Sequence, residues 1–174
     1  MTVNLLVLVG SQRAGSVNRL LADRAIAQLD DDVTTTVWEA LADLPHYSQD
    51  LDGDTVPESV AAFRAAVEAA DGLLLVTPEY NGSIPSVLKN ALDWASRPRG
   101  ASSIAGKPAA VLGASLSPRN ALWAREHAVR VLTIAGAKPL ETTVGFQGDG
   151  YDEATVGALL DELVTAASAD EVAA

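Results

Sequence analysis

Val3-Asn4-Leu5-Leu6-Val7-Leu8-Val9, continued without a break by Gly10-Ser11-Gln12-Arg13-Ala14-Gly15-Ser16-Val17-Asn18, is the stretch on which the fold turns. Its first half is a short, nearly unbroken apolar run rich in Val and Leu, which suits a strand covered on both faces, as in a parallel sheet. Its second half is small, polar and free of acids, and it runs into helical spacing at Val17, Leu20, Leu21, Ala25 and Leu29. A strand, a hydroxyl-rich turn and a helix N-terminus together form an anion site, because free backbone N–H groups and the positive end of the helix dipole face the turn. The spacing is not that of a dinucleotide fingerprint, G-x-G-x-x-G, and the lysine of a P-loop is missing after Gly15. What remains is Ser11, Arg13, Ser16 and Asn18, two hydroxyls, a guanidinium and an amide, a set that suits one compact terminal phosphate. The competing reading is a plain loop in which Ser16 merely caps the helix.

Outward from this unit, the chain alternates strands and helices. Val33 to Trp38 is a β-rich run after the turn Asp30-Asp31-Asp32, and Leu44 to Asp54 is irregular. Thr55 to Glu58 has capping-box spacing with Pro57 in the first turn, and Val60, Phe63, Arg64 and Val67 follow on one helix. Leu73 to Thr77 is a buried-type strand, Val87 to Ala95 a helix, Pro108 to Gly113 a fourth strand, and a helix then runs to Ala135. Lys138 to Val144 is the fifth strand, and Val156, Leu159, Leu160, Leu163, Val164 and Ala167 mark the last helix, with Ser168 to Ala174 expected to fray. Such alternation means βαβ units and a parallel sheet between two helical layers. Six-stranded Rossmann and five-stranded flavodoxin-like sheets share this pattern; five strands in this length favour the α/β flavodoxin-like three-layer sandwich, strand order 2-1-3-4-5, as a single domain over residues 1–174. Ligands in that order bind where strands 1 and 3 part, so the polar loops after strands 1, 3 and 4 converge there.

Composition narrows the classes. With 174 residues, 48% hydrophobic and 20% charged, the chain has enough length for one real core. A net charge of -11 speaks against nucleic-acid binding and requires a local basic patch for any anionic ligand. The absence of cysteine excludes disulfides, thiol nucleophiles and Cys-ligated metals. No apolar run is long enough to span a bilayer, and Met1-Thr2 leads directly into a strand, so the expectation is a soluble, unprocessed, cytoplasmic protein with no membrane partner.

The second informative loop is Thr77-Pro78-Glu79-Tyr80-Asn81-Gly82-Ser83-Ile84-Pro85. Pro78 and Pro85 stiffen its ends and Asn81-Gly82 is a strong turn signal. A rigid turn holds backbone donors and acceptors at fixed positions, which suits a planar heterocycle with alternating donors and acceptors at its edge. A ligand with a terminal phosphate at one end and such a ring at the other is FMN.

These two stretches, with Leu88-Lys89-Asn90-Ala91-Leu92-Asp93-Trp94 after them, resemble the NADPH-dependent FMN reductase family, which includes flavodoxin-like chromate, quinone and azo-compound reductases. The resemblance covers the chain in length and element order. It implies bound FMN, hydride taken from NADPH or NADH as co-substrate, electrons passed to a small-molecule acceptor such as a quinone, flavin, azo compound or chromate, and a homodimer or homotetramer with the flavin near a subunit interface. The cofactor-binding residues expected on this basis are Ser11, Arg13, Ser16, Val17 and Asn18 on the first loop, Pro78, Glu79, Tyr80, Asn81 and Gly82 on the second, and Ser115 on the third. No side chain is assigned a catalytic role and no metal is expected. The third loop departs from the family: relatives often carry Ser-x-Gly-x-x-Gly-Gly, whereas this chain reads Ser115-Leu116-Ser117-Pro118-Arg119-Asn120-Ala121.

Other residues read more simply. Arg97, Arg99 and Arg119 are surface charges with the alternative of attracting the NADPH phosphate. Trp94 lies on an apolar helix side, and Trp38 and Trp123 are assigned to packing or an interface. His46 and His127 lack partners at metal-ligand spacing, Lys89 and Asp93 stand one turn apart for pairing, Glu39 is a helix-entry or solvent residue, and Ser115 and Ser117 lack the set needed for a serine hydrolase. Two competing functions share the same motifs: a flavodoxin-type electron carrier without NADPH turnover, which the acidic surface suits, and a nucleotide- or phosphosugar-binding enzyme.

Overall fold

A computed structural model describes residues 2–171. Five strands, β1 (Val3–Val9), β2 (Val33–Val37), β3 (Gly72–Thr77), β4 (Pro108–Ser115) and β5 (Lys138–Gln147), form one sheet in the order β2-β1-β3-β4-β5, with every pairing parallel. Five helices connect or follow them: α1 (Val17–Ile26), α2 (Glu58–Ala69), α3 (Ser86–Ala95), α4 (Leu122–Ala135) and α5 (Glu153–Glu171). This is the flavodoxin-like sandwich. The strict two-residue alternation of strand side chains sorts the core into two layers. Leu6, Leu8, Leu73, Leu75, Ala109 and Val111 face α2, α3 and α4, while Leu5, Val7, Leu74, Val76, Ala110 and Leu112 face α1 and α5. Because both faces are covered, β1 and β3 are apolar at nearly every position, and each fully buried Leu contributes roughly 1.5–3 kcal/mol.

Element boundaries differ from the sequence reading in ways that have local causes. The capping box at Thr55 does not form: α2 starts at Glu58, Pro57 is its N-cap, and no side chain caps it. With Pro57 in the N-cap position, Thr55 lies two residues ahead of it, outside the place from which a hydroxyl accepts from the first-turn N–H groups. β4 and β5 run on to Ser115 and Gln147, pairing side by side to their ends, because Ala114 and Phe146 still have a partner strand. The interval after β2 holds two single 3-10 turns, Leu41–Asp43 and Gln49–Leu51. α1 stops at Ile26, short of Leu29, whose side chain nevertheless packs on the α1/α5 layer. The fraying expected from Ser168 is not seen as far as Glu171, where α5 is still helical; residues 172–174 lie outside the described residues. Trp94 is fully buried with its Nε1 donating to the Pro45 carbonyl at 2.7 Å, and Trp38 packs edge-on against Phe63.

Candidate functional site

The carboxyl ends of β1, β3 and β4 open into one cavity of about 510 Å³. It is lined by Ser11, Arg13, Ser16, Val17 and Asn18 from the first loop and α1, by Pro78, Glu79 and Tyr80 after β3, and by Ala114, Ser115, Leu116 and Ser117 after β4. It lies at the topological switch point, where β1 has β2 on one side and β3 on the other. Nine of the eleven residues singled out from sequence therefore meet on one wall. Asn81 and Gly82 do not line it. They form the turn behind Tyr80, both in the left-handed region with φ of 52° and 73°, closed by paired backbone hydrogen bonds between Tyr80 and Ser83. Ala114, Leu116 and Ser117 join the wall without having been singled out; the signal was their place beside Ser115 at the end of an apolar strand.

The first loop can approach the third strand's loop because Gly10 has no side chain: a β-carbon there would stand 3.2 Å from Pro85 Cγ and 3.3 Å from Leu88 Cδ2. Ser16 is the N-cap of α1, its Oγ accepting from the Asn18 N–H at 3.1 Å, and the first turn of α1 carries no acid. Capping and anion binding thus coexist at this helix start. The hydroxyl of Ser11 and the guanidinium of Arg13 make no hydrogen bond or ion pair with protein groups among the described residues, so both remain available at the cavity.

Asn18 lines the cavity, and its side-chain amide is engaged with β4: Nδ2 donates to the Ala114 carbonyl at 2.9 Å and Oδ1 accepts from the Ala114 N–H at 2.9 Å. Buried to 2% exposure, it acts as an extra rung that ties the start of α1 to the end of β4. Glu79 has a comparable role, with Oε2 accepting from the backbone N–H groups of Trp123 at 3.0 Å and Ala124 at 3.3 Å. A carboxylate suits those positions because they are unsatisfied donors at the positive end of α4, whose own cap residue Ala121 offers no side-chain acceptor. Ser115 Oγ likewise accepts from Ala121 N–H at 3.0 Å. Ser83 Oγ and His127 Nδ1 lie 2.7 Å apart and pin the turn to α4.

Sequence reasoning passed over Arg125. It stands among Ala124, Ala128 and Leu132 on the inner side of α4, donating from Nε to the Asn120 carbonyl at 3.1 Å and from Nη1 to the Thr143 carbonyl at 2.9 Å. Burial lowers its pKa from the usual guanidinium value, yet that value lies so far above neutrality that the charge persists. Gly145 makes the space: a β-carbon there would fall 2.2 Å from Asn120 O and 2.5 Å from Arg125 Nε. The signal was a charge inside an apolar helical stripe. On the β2 side, Glu39 pairs with Arg19 at 2.7 Å, which holds the Arg19 pKa up and offsets an acid close to the first loop. Among the described residues, no group of three His, Cys, Asp or Glu could hold a metal, and Lys89 pairs with Asp93 at 2.6 Å.

The donor set fits FMN. A helix start free of acids, a guanidinium and a hydroxyl without protein partners among the described residues, Pro78 and Tyr80 of a proline-bounded turn, and Leu116 line the same cavity. The model of NADPH-dependent FMN reductases matches residues 3–150. The chain belongs to that family. It is therefore an FMN-dependent NAD(P)H oxidoreductase. Similar proteins include a 2-hydroxy-1,4-benzoquinone reductase from Burkholderia, 47% identical over 127 residues that span 73% of this chain and 68% of that one. An NAD(P)H-dependent FMN reductase from Pseudomonas aeruginosa is 36% identical across 92% of this reductase and 86% of its own length. Among solved structures, the flavoenzyme NAD(P)H:(acceptor) oxidoreductase FerB from Paracoccus denitrificans superposes with a TM-score of 0.81 at 32% identity, covering 96% of each chain.

Proposed function

We propose that this reductase holds FMN in the cavity at the β1/β3 switch point and uses it to reduce quinones with NADPH or NADH. The observation that carries the reading is the meeting of Arg13 and Ser11, unengaged among the described residues, with the acid-free start of α1 in one cavity that the stiff turn after β3 also lines. Bound FMN supplies the chemistry, accepting hydride from a nicotinamide and giving up two electrons to an acceptor. The chain supplies binding and position. Arg13, Ser11 and the N–H groups of Val17 and its neighbours hold the phosphate; Pro78, Glu79, Tyr80 and Ser115 frame the ring, with Asn81 and Gly82 closing the turn behind them; Tyr80 and Leu116 shield one side from water. No side chain of the wall is needed as an acid or base for hydride transfer, so none is assigned that role. The relative named for 2-hydroxy-1,4-benzoquinone supports a quinone as acceptor, and one named for FMN supports free flavin as a second. A homodimer or homotetramer is supported by apolar side chains exposed on α4 at Leu122 and Ile134. No helix among the described residues is long and apolar enough to cross a membrane; action on small molecules in the cytoplasm, as a single FMN-binding domain, is part of this proposal.

The test is a spectrum of the purified protein followed by an acceptor series. Flavin absorbance, uptake of added FMN with quenching of its fluorescence, and oxidation of NADPH or NADH that depends on quinone are the expected results. A protein that takes up no FMN and oxidises neither nucleotide overturns the reading. Flavin binding without nucleotide turnover makes the protein an electron carrier instead.

A further inference from the structure

The loop joining β4 to α4, where glycines are replaced, builds a feature on the rim of the cavity. Leu116 and Tyr80 line the cavity and are 83% and 51% exposed. Beyond them stands Trp123, 46% exposed, its ring against the Asn81-Gly82 turn: a β-carbon on Gly82 would lie 3.4 Å from Trp123 Cε3. Arg119 covers the indole, with its guanidinium carbon 4.1 Å from the ring centroid. The loop holds Arg119 in place, since its N–H donates to Ser117 Oγ at 3.2 Å and its carbonyl accepts from Leu122 N–H at 2.9 Å. No acid pairs with this guanidinium among the described residues. Stacking on an indole occupies the flat face of a guanidinium and leaves its N–H edge for an oxygen anion in the same plane.

We propose that Arg119, held on Trp123, is a specificity-determining residue that favours flat aromatic acceptors bearing an anionic substituent, such as the phenolate of a hydroxyquinone or a quinone sulfonate. The proposal rests on the reading of the cavity as the place where acceptors are reduced. Tyr80 and Leu116 give the ring an apolar wall, and the guanidinium edge meets the anionic oxygen at its rim. The net charge of -11 repels such acceptors from a distance, and an unpaired cation on the rim counters that repulsion over roughly one Debye length, about 8–10 Å. The phosphates of a nicotinamide dinucleotide are the other anions that pass this way. The apolar surface of Tyr80, Leu116 and Trp123 between the cavity and Arg119 suits a flat ring better than their ribose-linked chain.

The experiment compares KM for a neutral and an anionic quinone, 2-methyl-1,4-naphthoquinone and 1,4-naphthoquinone-2-sulfonate, in the flavin-loaded protein and in Arg119→Gln. The expected result is a rise of about tenfold in KM for the sulfonate, as for loss of one charge-assisted hydrogen bond. KM for the neutral quinone and for NADPH stays within about twofold, because neither uses that edge. Raising salt to about 0.5 M lifts the wild-type KM for the sulfonate towards that of the variant. Arg119→Lys keeps the charge without the stacked fork and recovers part of the difference. Trp123→Leu, which removes the platform and leaves the arginine, reproduces the selective loss in weaker form. Equal rises for both quinones, a rise confined to NADPH, or no change overturns the proposal while the reductase reading stands. If wild-type protein that carries flavin reduces neither quinone, both fall together.

Discussion

At the scale of single residues, the cavity divides into groups that are free and groups already spent on the frame. Arg13 and Ser11 are free of partners among the described residues; Asn18, Glu79 and Ser115 hold loops together. Replacing Arg13 with Gln is therefore expected to weaken FMN without unfolding the protein. The loss of one charge-assisted contact to a phosphate is about 1.5–3 kcal/mol, roughly 10- to 150-fold in Kd. Fluorescence titration of FMN against the wild-type and variant apoproteins reads it directly, and an unchanged Kd would remove Arg13 from the site. The spacing of Ser11, Arg13 and Ser16 made this end of the cavity legible, since their neighbourhood is set by a strand, a tight loop and a helix start within eight residues. The side-chain partner of Asn18 was not legible, because Ala114 is 96 positions away. The amide is as able to bridge two backbone groups as to face a phosphate, and only the fold brings β4 within its reach.

At the scale of elements, helix ends carry the chemistry. α1 points its N-terminus at the cavity, and α4 has a borrowed cap in Glu79. α5 has its own: Asp152 Oδ1 accepts from Thr155 N–H at 2.8 Å. This bonding to the Thr155 hydroxyl and N–H lowers the Asp152 pKa below its ordinary value. A folded-state pKa below the unfolded one means stabilisation that is complete above the usual carboxylate range and fades as pH falls through the lowered value. Asp152→Ala is accordingly expected to melt at lower temperature than wild type near neutrality, with the gap closing as pH falls through the usual carboxylate range and below it. Thermal melts of both proteins across that range check it; a gap that persists in acid contradicts the capping role. The strong periodicity of α5 was plain in its apolar positions, yet its end was placed too early, because the small and acidic residues from Ser168 carry no stop signal and continue the helix through Glu171.

At the scale of the whole molecule, the two apolar layers and the cavity above them form one cooperative system. A ligand that binds only the folded state stabilises it by about 2.7 kcal/mol at 100 times its Kd. For a chain of this size, adding FMN to the apoprotein at that excess should raise Tm by about 5–10 °C. Riboflavin, which lacks the phosphate, should raise it less, and equal shifts from both would mean that the phosphate end of the cavity contributes nothing. What the sequence determined by itself is the alternation of buried strands and amphipathic helices, hence the doubly covered parallel sheet, and the small polar loop at the first helix start. Both follow from periodicity and from steric rules that act over a few residues. What only the tertiary structure decided is who partners whom above the sheet: Asn18 with Ala114, Glu79 with the start of α4, Arg125 with Asn120 and Thr143 over Gly145, and Arg119 on Trp123 beside Gly82. Most of these contacts join loops far apart in the chain, and even the short Arg119–Trp123 stack becomes part of a rim only when another strand's turn is laid against it. No spacing along the chain carries that information; it arises when parallel strands bring all their carboxyl ends to one edge.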